Sequence, residues 1–444
     1  MNIWLVNPFD PLPGEAEQLA RYGRLALTLK DRGHRVTWWS ASFSHRFKRS
    51  IDARSVDAAA HELGIDVRLI DTPPYRKNIS LRRLWSHASF GRRWRVEAEA
   101  VLARQSSSNS EPRALARADA AEQDHQLPSP DLILASSPPL ESAAHVATIG
   151  KRYGIATIID IQDQWPDYFA YAFPRPLRGV ARPLLARHYA HERRAYRLAT
   201  AITAVAEGYL ERGLQIGGSK AMSAEFPLGV DLGEVDAAMR DRDAAESFAW
   251  KKREGEVWAI MFGSFAHSYD LMTIVRAAAR ARKTWGTRVR FFFAGRGELE
   301  ASLRREVERL GLDNVVFTGF LAHPNYGPLL AQADLGFTAS FPDSLVHLPN
   351  KVFFYFAAGV SLLNTIPGEC ARIIDDAGCG LTYQAGNADA CFDAIRHVVD
   401  DPAALPRMKA ASRNLAETRF DRRIILPHFA EFLELAARVA HSIR

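Results

Sequence analysis

The sequence predicts an α/β protein made of two doubly wound parallel-sheet domains in tandem. Three observations carry this. The 444 residues are too many for one ordinary core and suit two domains of about 200 residues each. Short continuous apolar runs alternate with helical stretches in both halves, as expected of strands covered on both faces. The opening succession of strand, loop, helix and strand recurs from Val257 onward.

The first strand is expected at Ile3–Val6. Leu19, Tyr22, Leu25, Ala26 and Leu29 then recur at helical spacing, and Gly33 stops the helix. Further strands are expected at Val36–Trp39, Val67–Ile70, Leu132–Ala135, Thr157–Ile161 and Ile202–Val205. Residues 105–130 are small and polar and read as a mobile surface insertion within a first domain of residues 1–235. The charged stretch 236–256 reads as a linker. A second domain, 257–422, carries strands at Val257–Phe262, Val289–Ala294, Val315–Thr318, Leu335–Thr338, Val360–Asn364 and Leu381–Tyr383, with helices at Leu271–Arg282 and Leu299–Leu310. A last helix occupies 423–444. Ligands of such sheets bind at the carboxyl ends of the strands, so we expect a cleft bordered by two sets of strand ends.

Composition is globular, with 47% hydrophobic and 24% charged residues. No apolar run reaches the roughly 18 residues of a membrane span. The opening "MNIWLVNPFD" lacks the basic-then-apolar pattern of a signal peptide. Cys370, Cys379 and Cys391 fit neither a disulfide framework nor the spacing of a zinc site, so we expect a cytoplasmic protein. Net charge is +6. Residues 76–95, "RKNISLRRLWSHASFGRRWR", hold seven Lys or Arg and no acid, interleaved with Trp85, Phe90 and Trp94. That pattern suits the anionic inner face of a membrane or a solvated helix face; no nucleic-acid partner is expected.

Four stretches of the second domain bear on chemistry. In "IMFGSFAHSYDL", Gly263 and Ser264 end a strand and Asp270 offers a helix cap; the helix start would favour a phosphate, or the stretch is an ordinary turn. In "FFFAGRGELE", Gly295, Arg296, Gly297 and Glu298 close the next strand, although a lone GxG is weak. Phe320 and Leu321 lie over a flat base or pack internally. In "LPNKVFFYFAAG", Asn350 reads as a cap and Gly359 as a stop. Val352, Phe353, Phe356 and Ala357 share the face expected to pack on the sheet, leaving Lys351, Phe354 and Tyr355 to border the cleft. An ammonium there would stabilise a departing diphosphate.

In the first domain, "IIDIQDQWPDYF" places Asp160, Asp163 and Asp167 beyond a strand, to orient hydroxyls, accept a proton or make turns. Ser136 and Ser137 end another strand. "DRD" at Asp241–Asp243 falls outside any strand end and is discounted as a metal motif.

Together these stretches resemble the bacterial retaining glycosyltransferases of family four, of GT-B fold. The resemblance spans nearly the whole chain and is strongest in "GRGELEASLRREVERLGLDNVVFTGFL", "QADLGFTAS", "LPNKVFFYFAAG" and "IPGECARIIDDAGCGLTY"; "IIDIQDQWPD" and "FPLGVD" resemble segments of a surface-polysaccharide subgroup. It implies a UDP- or GDP-linked sugar as co-substrate, no cofactor, no metal in the chemistry, and a lipid-linked or polysaccharide acceptor. It also implies a final helix that crosses back to the first domain. Donor contacts would come from Gly263, Ser264, Gly295, Arg296, Glu298, Phe320, Leu321, Asn350, Lys351, Phe354 and Tyr355. Acceptor contacts would come from Gly14, Arg21, Ser136, Asp163 and Trp165, with Asp163, Ser137 and Lys351 closest to the chemistry. Phe354 and Val346 stand where the family has glutamates, and "SFAHSYD" replaces a basic pair. Three classes stay open: a transferase, a degenerate GT-B subunit supporting a partner, and a sugar-nucleotide epimerase.

Overall fold

A computed structural model describes residues 1–16, 18–77, 80–108, 127–171, 173, 178–218, 222–341 and 343–442. Most of the insertion expected at 105–130 lies outside these residues, while 105–108 continue a helix.

The chain divides into two units, Met1–Phe226 with Leu426–Arg444, and Pro227–Ile425. Unit 1 contains β1 (Asn2–Val6), β2 (Arg35–Ala41), β3 (Phe43–Ser44), β4 (Arg49–Ser50), β5 (Asp66–Ile70), β6 (Leu132–Ser137), β7 (Ala156–Ile161), β8 (Ala201–Ala204) and β9 (Ser223–Glu225). Its sheet runs β5-β2-β1-β6-β7-β8-β9, all parallel, and β3 and β4 form a separate hairpin. Unit 2 contains β10 (Val257–Phe262), β11 (Val289–Ala294), β12 (Val315–Phe317), β13 (Leu335–Phe337), β14 (Ser361–Asn364) and β15 (Gly380–Thr382), parallel in the order β12-β11-β10-β13-β14-β15. Each order reverses direction beside its first strand, which is the switch point of a doubly wound sheet. Phe291, Phe292 and Phe293 are all buried, which requires cover on both faces of β11.

Strands β3, β4 and β9 are absent from the sequence reading. Two or three residues are too few to display a period, and Ser223–Glu225 is polar.

The stretch read as a linker, 236–256, instead belongs to unit 2. Two helices, Leu232–Arg240 and Arg242–Ser247, cover most of its first half. Leu232, Val235 and Ala238 are buried, so the charge that suggested a linker is the outer face of an amphipathic helix. Asp241 caps the second helix by accepting from the Ala244 N–H.

The last helix, Arg422–Ser442, carries the chain back into unit 1 at Leu426. Phe429 stacks on Phe226 with ring centres 4.4 Å apart. Glu434 accepts from Arg32 Nε at 2.7 Å and lies 2.8 Å from His34 Nε2. The hydrogen bond from Arg32, helped by His34, holds the Glu434 carboxyl down at about 2. A depressed carboxyl stabilises the fold fully above its ordinary value of 4.5 and stops doing so as pH falls through about 2. Thermal melts should therefore show E434Q with a lower midpoint than wild type at neutral pH. That gap should shrink steadily once the pH drops below the ordinary carboxylate range; a gap constant with pH would remove Glu434 from the latch.

Candidate functional site

In unit 2 the candidate site sits at the carboxyl end of β10, beside the switch point. Strands β10 and β13 pair only at Ala259↔Leu335 and Ile260↔Gly336 and then part. The helix Asn350–Ala357 lies over the gap. Its residue Tyr355 is fully buried, and its hydroxyl accepts from the Phe262 N–H at 2.9 Å. The same hydroxyl lies 3.3 and 3.4 Å from the carbonyls of Ile260 and Phe337. A Cβ on Gly336 would meet the Tyr355 ring at 2.8 Å, so glycine there makes room for the wedge.

Lys351, one turn earlier, is only 6% exposed. Its Nζ lies 3.8 Å from the centre of the Tyr269 ring and 3.6 Å from Met261 Sδ. Among the described residues no carboxylate pairs with it. Burial alone lowers its pKa to about 7. Gly263 has φ +120°, and a Cβ there would point at Lys351 Nζ from 3.8 Å. The site is thus a buried ammonium facing an open glycine backbone. Ser264 is exposed beside it, and Phe320 is 68% exposed on the loop after β12.

Several expectations are corrected. Of Val352, Phe353, Phe356 and Ala357, expected to pack on the sheet, the two phenylalanines find a ring partner outside it. Phe353 and Phe356 lie 5.2 and 5.4 Å from Phe420, whereas the edge expected to face the ligand carries Tyr355 into the sheet. An aromatic-rich helix offers two apolar faces, and period alone does not choose between them. Tyr355 therefore supports the site without lining it. Asn350 is the first helical residue, with Pro349 at the cap, and its side chain is exposed. Gly359 ends the helix at φ +62°. Asp270 stands at its helix start but accepts from the Gly386 N–H at 2.6 Å instead of capping.

Gly295 and Gly297 are structural. A Cβ on Gly295 would lie 1.7 Å from the Gly263 carbonyl oxygen, and one on Gly297 2.5 Å from that of Phe265. The loops after β10 and β11 stay paired backbone to backbone, through Gly263 N–H to Ala294 and Phe265 N–H to Arg296. Arg296 and Glu298 are exposed, and Glu298 Oε2 lies 3.5 Å from His267 Nε2. Leu321 is half-buried. Phe354 joins Phe262 and Tyr326 in a ring cluster, at 5.9 and 5.6 Å.

In unit 1, Arg21 and Asp160 are both buried and form a two-point pair, Nε and Nη2 each 3.2 Å from a carboxylate oxygen. Thr203 and Gln162 complete the carboxylate's contacts at 2.8 and 2.9 Å. This pair is part of the core, so Arg21 is corrected from an acceptor contact to a strut. Ser136 and Ser137 are fully buried. Ser136 Oγ donates to the Pro138 carbonyl, and Ser137 Oγ lies 3.1 Å from the Tyr196 hydroxyl. Neither reaches a surface, because β6 continues through them. Asp163 is half-buried and accepts from the Gln164 N–H at 2.8 Å; burial raises its pKa. Trp165, beside it, is 2% exposed and packs on Phe169. Gly14 is exposed at φ +82°. Asp167 is bound by Arg212 and the Tyr189 hydroxyl. Sequence reasoning missed Tyr269, Met261 and Gly336. The "DLGF" run held a usable signal, since a glycine inside a strand marks a close approach.

Two doubly wound parallel sheets, one in each unit, are the architecture of the GT-B fold. Residues 257–401 match the family described as glycosyl transferases group 1. A 96-residue stretch is 31% identical to O-antigen chain mannosyltransferase C of Escherichia coli, over 22% of this chain and 23% of that one. The matched stretch thus spans under a quarter of that relative's length. The crystal structure of Anabaena HepE in complex with UDP shares a TM-score of 0.63 at 15% identity, over 98% of this chain and 99% of that one. Sucrose-phosphate synthase of Thermosynechococcus elongatus gives 0.66 at 14%, over 98% of both. At such identities these structures speak to the fold alone.

Replacing Gly295 by Ala should cost about 2–4 kcal/mol in denaturant unfolding, because two backbones would have to separate. Gly179→Ala, where nothing lies within 4 Å, is the control and should stay within about 0.5 kcal/mol.

Proposed function

We propose that this chain moves a sugar from a UDP- or GDP-linked donor, held by unit 2, to a lipid-linked or polysaccharide acceptor, held by unit 1. The observation that carries the reading is Lys351, a buried ammonium at the end of β10 with a sulfur and a ring face as its partners. A diphosphate is the anion that such a group matches. Phosphate oxygens approach the bare Gly263 backbone, and the exposed Phe320 ring offers a surface for a base. As the sugar leaves, charge builds on the departing diphosphate, and Lys351 stabilises it without rearranging. That supplied charge supports chemistry without a divalent ion. Retention of configuration follows the family resemblance. Asp163 orients the acceptor hydroxyl from unit 1. HepE was crystallised with UDP, and the Escherichia coli relative is named as an O-antigen chain mannosyltransferase.

A second reading, a non-catalytic subunit supporting a partner transferase, draws on Phe354, whose place among Phe262 and Tyr326 leaves it without a polar group for a ligand.

Nucleotide-sugars at a hundredfold excess over Kd should stabilise the full chain by about 2.7 kcal/mol. K351A should abolish most of that stabilisation and of turnover, while EDTA leaves turnover intact. Stabilisation without transfer to any acceptor favours the second reading; no stabilisation by any nucleotide-sugar overturns both. Because Lys351 titrates at about 7 in the free protein, donor affinity should fall above that pH, by at most about tenfold per unit, and K351A should flatten the profile.

We further propose contact with an anionic membrane surface through the start of the helix Leu81–Ser108. Its basic segment is divided: Arg83, Phe90 and Trp94 turn inward and Arg93 bonds Asp71. Leu81 and Trp85, one turn apart, are 83% and 57% exposed, with Arg82 and Arg92 exposed on the same helix. Vesicle flotation should show that L81S/W85S and R82Q/R92Q each weaken binding to phosphatidylglycerol vesicles, with little binding to phosphatidylcholine. Equal flotation of variants and wild type would leave only a solvated basic surface.

A further inference from the structure

The basic run at 76–95 has a counterpart elsewhere in unit 1. Residues 168–191 hold four Arg and no Asp or Glu. They include the helix Arg178–Leu184. Ala181 and the following Leu185 are buried, whereas Val180 and Leu184, also one turn apart, are 66% and 72% exposed. A surface helix ordinarily turns polar side chains outward. Here the outward side carries two aliphatic residues, with Arg182 and Pro183 exposed between them.

The two basic runs meet on one internal cluster. Ala181 and Leu185 pack there with Leu140, Trp165, Phe169 and Ala170, and Leu84 of the helix Leu81–Ser108 packs against the same group. Each helix thus rests on shared apolar side chains and turns an i, i+4 apolar pair to solvent, Leu81 with Trp85 and Val180 with Leu184. The exposed charge around them is cationic. Arg82 and Arg92 are exposed on the first helix, and the helix Ala186–Leu198, which follows the second, exposes Arg193 and Arg194. Its one acid, Glu192, is buried and accepts from Arg212 at 3.0 Å. Aliphatic side chains ringed by cations match an anionic lipid interface, where phosphates lie just above acyl chains. A second copy of this chain is a poorer partner, because a self-complementary contact would bring like arginines together. Among the described residues no helix is long and apolar enough to cross a membrane, so the contact is an interfacial one.

We propose that the helix Arg178–Leu184 is a second membrane-docking element, which inserts Val180 and Leu184 below the phosphate level of an anionic leaflet while the arginines hold headgroups. The inference rests on the membrane contact proposed above and adds to it a second helix and apolar insertion. Trp165, in the cluster beneath both helices, stands two residues beyond Asp163. A docked face would therefore bring a lipid-borne acceptor near the residue assigned to its hydroxyl.

The test uses the full chain and phosphatidylglycerol vesicles. In flotation, V180S/L184S should bind about tenfold more weakly than wild type, since two aliphatic side chains no longer leave water. Both positions are on the surface, so thermal melts of the variant and wild type should coincide. Insertion is read directly from L184C carrying an environment-sensitive NBD label, because Cys370, Cys379 and Cys391 are buried. Its emission should move to the blue, and iodide should quench it less, once vesicles are added. Either a loss under twofold in V180S/L184S or an unshifted emission overturns this element. Should L81S/W85S still weaken flotation in that case, membrane contact through the other helix stands; should neither pair matter, both readings fail. A dimer in vesicle-free solution that V180S/L184S dissolves would give the face to a second copy and overturn the inference.

Discussion

Where β10 and β13 separate, their backbone groups lose each other as partners, and the Tyr355 hydroxyl takes their place. It accepts from Phe262 and sits within reach of the carbonyls of Ile260 and Phe337. A buried peptide group without a partner costs about 1–3 kcal/mol, so this hydroxyl lets the strands diverge at little cost. The same contacts fix the rotation of the helix Asn350–Ala357. Lys351, one turn before Tyr355, is thereby aimed at Gly263 and not at solvent. The opening in the sheet and the charge that serves it thus depend on one side chain.

Two buried cations show how surroundings separate support from site. Arg21 meets Asp160 at two points, and Thr203 and Gln162 complete the carboxylate. The pair is closed, and nothing is gained by admitting a ligand. Lys351 has a thioether and a ring face, neither of which balances its charge. Holding an ammonium in such a place is unfavourable unless an anion arrives, which is why Lys351 carries the donor site proposed above.

The glycines after β10 and β11 divide the labour in a way that motif matching hides. Gly295 and Gly297 keep two loops in backbone contact, so the GxG run is a packing device. Gly263 is the one whose missing side chain leaves room beside Lys351. Loop contact holds Gly263 in position, and its positive φ turns the open side toward the ammonium.

The sequence alone determined the two parallel sheets and placed twelve of the fifteen strands among the described residues to within two residues. Val257–Phe262 and Val289–Ala294 coincide with β10 and β11, because a strand covered on both faces must be apolar throughout, and composition records that directly. It also singled out Lys351 and Gly263. Only the tertiary structure decided which face of the helix Asn350–Ala357 meets the sheet, that Arg21, Ser136 and Ser137 are internal, and that residues 236–256 belong to unit 2. Those outcomes depend on partners distant along the chain, such as Phe420 for Phe356 and Asp160 for Arg21. Local pattern records how apolar a residue is, whereas the choice of partner is settled by packing across the whole unit.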